Sequence, residues 1–174
     1  MDQQNNSMTI RPAIPQDWEA IWSILEPVIR AGETYTYPRN MSPEAARKVW
    51  METPRQTYVA LIGETIVGTY YLKSNQTGGG DHVCNCGYMV AKSAQGQGVA
   101  TAMYRHSEEV ARGFGYRAMQ FNFVIETNTR AVALWERLGF ATVGRLPGAF
   151  RHPRLGYVDA RIMYKTLTNK GEHL

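Results

Sequence analysis

The stretch Gln95-Gly96-Gln97-Gly98-Val99-Ala100-Thr101 follows a β-rich apolar run and opens a segment whose apolar residues recur at helical spacing. A glycine-rich turn between strand and helix presents several backbone N–H groups at a helix N-terminus, where the macrodipole also favours negative charge. The chemistry expected there is phosphate binding. Gly96 and Gly98 allow close approach of the backbone to an anion, and the small Ala100 keeps the first helical turn uncrowded. Two glycines do not say which phosphate. A dinucleotide fingerprint needs a third glycine and an acid about twenty residues on; Thr101 stands at the third-glycine position and residues 118–124 hold no acid. A P-loop needs Gly-Lys-Ser/Thr, which does not follow.

Two amides stand out in apolar strands, Asn85 in Cys84-Asn85-Cys86-Gly87-Tyr88 and Asn122 in Gln120-Phe121-Asn122-Phe123-Val124. Burying an unpaired amide costs about 1–3 kcal/mol, so each is expected to have a partner, either neighbouring backbone or a substrate. Cys84 and Cys86 share a strand face with each other and with His82. No second Cys or Cys/His pair completes a tetrahedral site, and same-strand neighbours are poorly placed for a disulfide, so no metal and no disulfide is expected. Tyr35 and Tyr37 lie in an aperiodic aromatic segment, and Arg151, His152 and Arg154 in a basic one. Either group is placed to contact a ligand or only solvent.

The elements that must position these residues follow from pattern. Residues 8–11 alternate and are stopped by Pro12 and Pro15, giving a short strand. Asp17 is expected to cap a helix carrying Trp18, Ile21, Trp22, Leu25, Val28 and Ile29, with Pro27 in its last turns. Ser42-Pro43-Glu44 starts a second helix running to about Met51. Residues 58–62 and 66–73 read as a hairpin around Gly63-Glu64-Thr65, and residues 82–90 as a strand after a glycine-rich connection. A helix over 98–114, a strand over 118–125 and a helix over 127–138 closed by Gly139 come next. Residues 140–146 and 158–165 supply two last strands on either side of a Pro- and Gly-containing loop. Strand, helix and strand between 82 and 125 imply a parallel crossover, so the fold class is α/β (α+β). It is a mixed, mostly antiparallel twisted sheet of about seven strands with a central parallel crossover and helices on both faces.

The 174 residues suit one domain: a flexible N-terminus over 1–7, the domain over 8–168 and a tail over 169–174. Composition is 44% hydrophobic and 20% charged, with no apolar run of the ~18 residues a membrane span needs. The N-terminus has neither a basic n-region nor an apolar h-region, so the expected compartment is the cytoplasm. The net charge of +4 is spread along the chain, which does not call for nucleic acid; a polyanionic cofactor would use the same field.

Gln95-x-x-Gly98-x-Ala100 resembles the Gln/Arg-x-x-Gly-x-Gly/Ala signature of GNAT acetyltransferases, and Asn128-x-x-Ala131-x-x-Leu134-Trp135-x-Arg137-x-Gly139-Phe140 resembles that family's Asn-x-x-Ala-x-x-Leu-Tyr-x-Lys-x-Gly-Phe segment. The element order agrees over residues 8–167. The resemblance implies acetyl-CoA as cosubstrate: backbone groups of Met89 and Val90 hold the thioester and pantetheine, and the amides of Gln95, Gly96, Gln97, Gly98, Val99, Ala100 and Thr101 hold the pyrophosphate. Asn128 contacts the cofactor arm, with Ala131 and Trp135 beside it. The strand pair with Asn85 and Asn122 is similar to acetyltransferases that inactivate the proline analogue azetidine-2-carboxylate. That likeness implies Asn85 and Asn122 as catalytic and substrate residues, with Tyr35 and Tyr37 lining the acceptor pocket. The implied reaction is acetylation of a small amine, an amino acid or proline analogue; the alternatives are a protein or peptide amine, or a non-catalytic CoA-binding sensor. A homodimer is the expected assembly.

Two positions depart from the family pattern. Trp135 stands where many members place a tyrosine that protonates the leaving thiolate, and an indole N–H is no acid at neutral pH. Tyr88, Tyr104 and Tyr164 are the phenols present, and the sequence assigns none of them that role. The strand over 82–90 also lacks a glutamate base; Asp81 lies at its edge, and Asn85 can orient an amine or a water without taking its proton.

Overall fold

The computed structural model describes residues 7–168, so residues 1–6 of the expected N-terminal segment and the expected tail over 169–174 lie outside the described residues. The strands are β1 (Met8–Pro12), β2 (Gln56–Ile62), β3 (Thr65–Ser74), β4 (Val83–Val90), β5 (Ala118–Ile125), β6 (Ala141–His152) and β7 (Gly156–Thr166). The helices are α1 (Trp18–Ala31), α2 (Pro43–Arg47), α3 (Val99–Gly113) and α4 (Thr129–Arg137). They form one seven-stranded sheet in the order β1-β2-β3-β4-β5-β7-β6. Every neighbouring pair is antiparallel except β4 and β5, the parallel crossover joined through α3.

The period-2 alternation of the strands feeds two cores. On one face Tyr70, Leu72, Cys84 and Cys86 pack against Met103 and Tyr104 of α3 and Trp135 of α4. On the other, Val59, Tyr71 and Met89 pack against Ile21, Leu25 and Ile29 of α1 and Trp50. Cys84 and Cys86 are therefore free, buried core thiols, while His82 precedes β4 and is exposed. Among the described residues no cluster of His, Cys, Asp or Glu could hold a metal.

Three local readings change. Asp17 stands at the N-cap of α1 but makes no side-chain cap bond. Its carboxylate takes Arg11 at 2.7 and 2.9 Å and the Ile14 N–H at 2.9 Å, clamping β1 to the chain entering the helix. The second helix begins as expected, with Ser42 Oγ accepting the Ala45 N–H, but over Lys48–Glu52 it widens to a π turn in which the Thr53 N–H reaches Lys48 O. Widening coincides with anchorage of the fully buried Trp50, whose indole N–H donates to Thr69 Oγ1 at 3.1 Å and whose carbonyl accepts from Thr57 Oγ1. The Pro- and Gly-containing loop expected after residue 146 is instead the bulged middle of β6: pairing with β7 shifts register between Leu146 and Phe150 and resumes to His152. A bulge accommodates Pro147, which has no N–H to give the ladder.

Gly68 in β3 sets how closely α3 approaches the sheet. A Cβ there would lie 2.8 Å from Val99 Cγ1 and 3.0 Å from Met103 Sδ. Val99 is the first residue of α3, so this glycine also seats the glycine-rich turn. Gly68→Val should destabilise the fold by about 1–3 kcal/mol through overpacking, read as a lower urea midpoint at unchanged m-value; a midpoint within error of the parent would show that α3 is not seated by this contact. The Asp17 clamp has a pH signature. The Arg11 guanidinium, with further help from the Ile14 N–H, holds the Asp17 carboxyl below its ordinary value against the opposing effect of burial. Its contribution should be complete above pH about 4 and lost as pH falls through the lower folded value. Asp17→Asn should flatten that part of the stability–pH curve in denaturation between pH 2 and 6.

Candidate functional site: the gap between two parallel strands

Strands β4 and β5 pair only at Val83–Ala118 and Cys84–Met119. Beyond that they part, and the next bond across the opening comes from a side chain: Asn85 Nδ2 donates to the Gln120 carbonyl at 2.9 Å. The gap widens into a cavity of about 360 Å³ walled by β4, β5, α4 and the segment between α1 and α2.

Register decides which backbone groups face the gap. In an antiparallel pair alternate residues turn N–H and C=O toward the partner strand. The Asn75 N–H to Val83 O and Ala91 N–H to Val67 O bonds give the odd-numbered residues of β4 to β3. Met89 is thus spent on β3, contrary to the role expected for its backbone, and its side chain is buried against the α1 face. Tyr88 and Val90 present their backbone groups to the opening. Those of Tyr88 are met by Tyr35, whose hydroxyl donates to the Tyr88 carbonyl at 2.9 Å and accepts the Tyr88 N–H at 3.0 Å.

Of the expected acceptor residues, Tyr35, Tyr37, Asn85 and Asn122 all line this cavity. Tyr35 and Tyr37 stack at 5.7 Å, and Trp50 braces Tyr35 and Tyr71 edge-on at 6.2 and 4.9 Å. Burial raises the phenol pKa of Tyr35, Tyr37 and Tyr71, so all three keep their protons at neutral pH. Asn85 is buried and satisfied, accepting the Tyr71 hydroxyl at 3.4 Å while donating to Gln120. Asn122 departs from the expectation of a buried amide beside it. It is exposed at the rim, donating to Asn75 Oδ1 at 2.7 Å and accepting from Gln120 Nε2 at 2.9 Å. The β5–β7 register shift between Phe121 and Val124 carries it outward.

Asn128 caps α4 through Oδ1, accepting the Ala131 N–H at 3.3 Å, and lines the cavity together with Ala131 and Trp135. Trp135 is also core, 4.8 Å from Phe121 and 5.2 Å from Tyr88 between ring centres, so packing and site wall are one role. The Tyr88 phenol turns to the α3 face, bonded to Ser107 Oγ at 2.7 Å, and the Tyr104 phenol is held by Glu108 and Lys165. Asp81 is exposed and does not line the cavity, and no carboxylate does so among the described residues. Arg154 is paired with Glu33 at 2.7 Å, while Arg151 and His152 line a neighbouring cleft that shares Tyr35, Thr36 and Tyr37 with the cavity.

Tyr71, Gly87 and Lys73 also line the cavity, and no motif in the sequence marks them. Tyr71 lies opposite Gly87 across β3 and β4, and a Cβ on Gly87 would sit 2.6 Å from the Tyr71 ring, so this glycine makes room for one wall. The available signal was a glycine interrupting a strand pattern.

The Gln95–Thr101 turn follows β4 after one short 3-10 turn over Lys92–Ala94. Gly96 and Gly98 both have φ of +79°, and Gly98 stands at the N-cap of α3 without a side-chain cap bond. The first amide with a helical acceptor is Ala102, bonded to Gly98 O, which leaves the N–H groups of Val99, Ala100 and Thr101 directed out of the helix end. Gln95, Gly96, Gln97 and Gly98 are exposed, whereas the Val99 side chain is buried against Gly68, so Val99 can serve a ligand through its backbone only. Three free amides, a helix dipole and two glycines whose added Cβ would meet nothing within 4 Å fit a pyrophosphate.

Comparison with known proteins agrees with this geometry. The family model described as Acetyltransferase (GNAT) family matches residues 18–140. A GCN5-related N-acetyltransferase from Kribbella flavida superposes with a TM-score of 0.87 at 40% identity, over 91% of this chain and 97% of that one. This protein belongs to the GNAT acetyltransferase family. The N-acetyltransferase aca1 of Schizosaccharomyces pombe is 34% identical over 99 residues, 56% of this chain and 47% of that protein, so the match spans about half the length of that curated relative. The yncA protein of Salmonella typhimurium, solved with its cofactor acetyl-CoA, shares the fold at a TM-score of 0.82 and 20% identity, over 96% of this chain and 98% of that one.

A bulky residue at Gly98 would project into open space above the helix N-terminus, where the phosphates belong, at a local backbone cost of about 1–2 kcal/mol. Gly98→Trp should abolish acetyl-CoA binding in calorimetry while keeping a cooperative melt. Unchanged affinity would remove the turn from the cofactor site. The two amides should also separate in stability: about 1–3 kcal/mol lost in Asn85→Ala against less than about 0.5 kcal/mol in the exposed Asn122→Ala, measured by urea unfolding.

Proposed function

We propose that the protein transfers the acetyl group of acetyl-CoA to the amine of a small amino acid or proline analogue. The observation that carries this reading is the cavity between β4 and β5, lined by phenols and amides, with the glycine-rich turn lying beyond the end of the same strand. A volume of about 360 Å³ is near the lower end for small-molecule pockets. It suits a compact acceptor better than a folded protein surface.

Acetyl-CoA supplies an activated acyl carbon when bound. The turn over 95–101 holds its phosphates, and Asn128, Ala131 and Trp135 flank the arm. The Val90 backbone at the open edge offers hydrogen bonds inside the gap, while that of Tyr88 is taken by the Tyr35 hydroxyl. Asn85, fixed by Gln120 and Tyr71, orients the acceptor nitrogen or a water beside it. With no carboxylate on the wall among the described residues, the amine loses its proton to water, and rate comes from positioning and carbonyl polarisation. Burial keeps the phenols of Tyr35, Tyr37 and Tyr71 protonated; the Tyr35 proton is given to the Tyr88 carbonyl and the Tyr71 proton to Asn85 Oδ1, so these rings shape the cavity and the leaving thiolate takes its proton from water.

The test is thiol release with acetyl-CoA and a panel of free amino acids, proline, azetidine-2-carboxylate, simple amines and peptides. Amino-acid or imino-acid turnover is expected, falling at least tenfold in kcat/KM in Asn85→Ala. Turnover confined to peptides would replace this reading with the peptide-amine one, and acetyl-CoA binding without turnover of any amine would replace it with a sensor.

A further inference from the structure

The cavity wall, among the described residues, has one charged side chain, Lys73 of β3. Among the described residues its ammonium is in no ion pair; its contact is with the Tyr71 ring, whose centre lies 5.4 Å from Nζ. Of the other cations close to the site, Arg154 pairs with Glu33, Arg39 donates to the Arg30 carbonyl, and the exposed Arg151 lines the neighbouring cleft rather than this cavity. Lys73 is a half-buried residue on a wall that, among the described residues, holds no carboxylate, so an arriving anion meets no competing negative charge there.

Position gives that anion its place. Lys73 lies opposite Asn85 in the β3–β4 register and shares its face of the sheet, and its Nζ leans over Tyr71 toward the end of β4 that carries Tyr88. The Tyr71 hydroxyl meets Asn85 Oδ1 at 3.4 Å, so cation, phenol and amide border one small space. Tyr88 lies three positions along β4 from Asn85, about 10 Å at the strand rise, a distance that the lysine stem and a short acceptor cover together.

We propose that Lys73 is the anchor for the acceptor's carboxylate and selects amines that carry one close to the nitrogen. The inference rests on the small-amine reading above and deepens it: an ammonium–carboxylate hydrogen bond holds one end of the acceptor, which leaves the nitrogen facing the open edge of β4. The same wall disfavours polyamines, whose second cation would meet Lys73 with no compensating carboxylate.

The experiment compares kcat/KM for an accepted amino or imino acid with that for its carboxamide, in the parent, Lys73→Met and Lys73→Arg. The parent should prefer the carboxylate at least tenfold, in the range expected of a charge-assisted hydrogen bond. Lys73→Met should collapse the preference toward unity, mainly through KM, and Lys73→Arg should restore most of it. Calorimetric acetyl-CoA binding and thermal melts, expected to be retained, show that both variants are folded and loaded. A parent that acetylates carboxylate and carboxamide equally, or a preference that survives in Lys73→Met, overturns the role of Lys73 and leaves the acetyltransferase reading standing. Absence of turnover with every amine despite acetyl-CoA binding overturns that reading and this inference together.

Discussion

Parallel pairing between β4 and β5 stops after Cys84 and Met119. A strand that leaves its neighbour takes a row of N–H and C=O groups with it, and inside a domain each must find another partner. Here the wedge of Phe121, Trp135 and Tyr88 keeps the strands apart on the α3 face. On the opposite face Asn85 reaches across to Gln120 where the ladder has ended, and Tyr35 supplies one hydroxyl to both backbone groups of Tyr88. The cavity, its amide and its phenols are consequences of that divergence.

The same constraint explains the layered support behind the site. Trp50, held by Thr69 and Thr57, fixes the rings of Tyr35 and Tyr71, and Gly87 leaves the latter room to lie over β4. These side chains come from four separate parts of the chain, and their hydroxyls and rings define the acceptor space more tightly than any single motif. On the other side of β4, Gly68 seats α3 close to the sheet and so fixes the anion-binding turn relative to the gap. One strand therefore registers two features, the glycine-rich turn beyond its end and the cavity along its edge. A family pattern that lacks both a glutamate on β4 and a tyrosine at position 135 can in this way keep the positioning part of the chemistry, which holding two reactants in place supplies.

Local features were legible in the residues alone. The glycine-rich turn, the Asn128 cap, the helical periodicities and the strand alternations depend on interactions within a few residues, and the structure places each within a residue or two of its expected bounds apart from the π turn and the bulged β6. Asn85 and the two tyrosines were recognisable because polar groups in apolar or aromatic surroundings need partners. Asn122 was misread as buried: a register shift in β5 turns it out to the rim, and alternation in sequence carries no sign of a bulge.

What the sequence by itself determined is therefore the family, the order of elements and the glycine-rich turn at the start of α3, since each is written in short-range spacing. What only the tertiary structure decided is which edge of each strand is left open. Met89 or Tyr88 could have faced the gap until strand order and register gave Met89 to β3, and Tyr35 had no visible tie to a residue 53 positions away. Lys73 looked like an ordinary strand lysine. The wall it stands on, which among the described residues carries no carboxylate, is made by residues distant in sequence that only packing brings together.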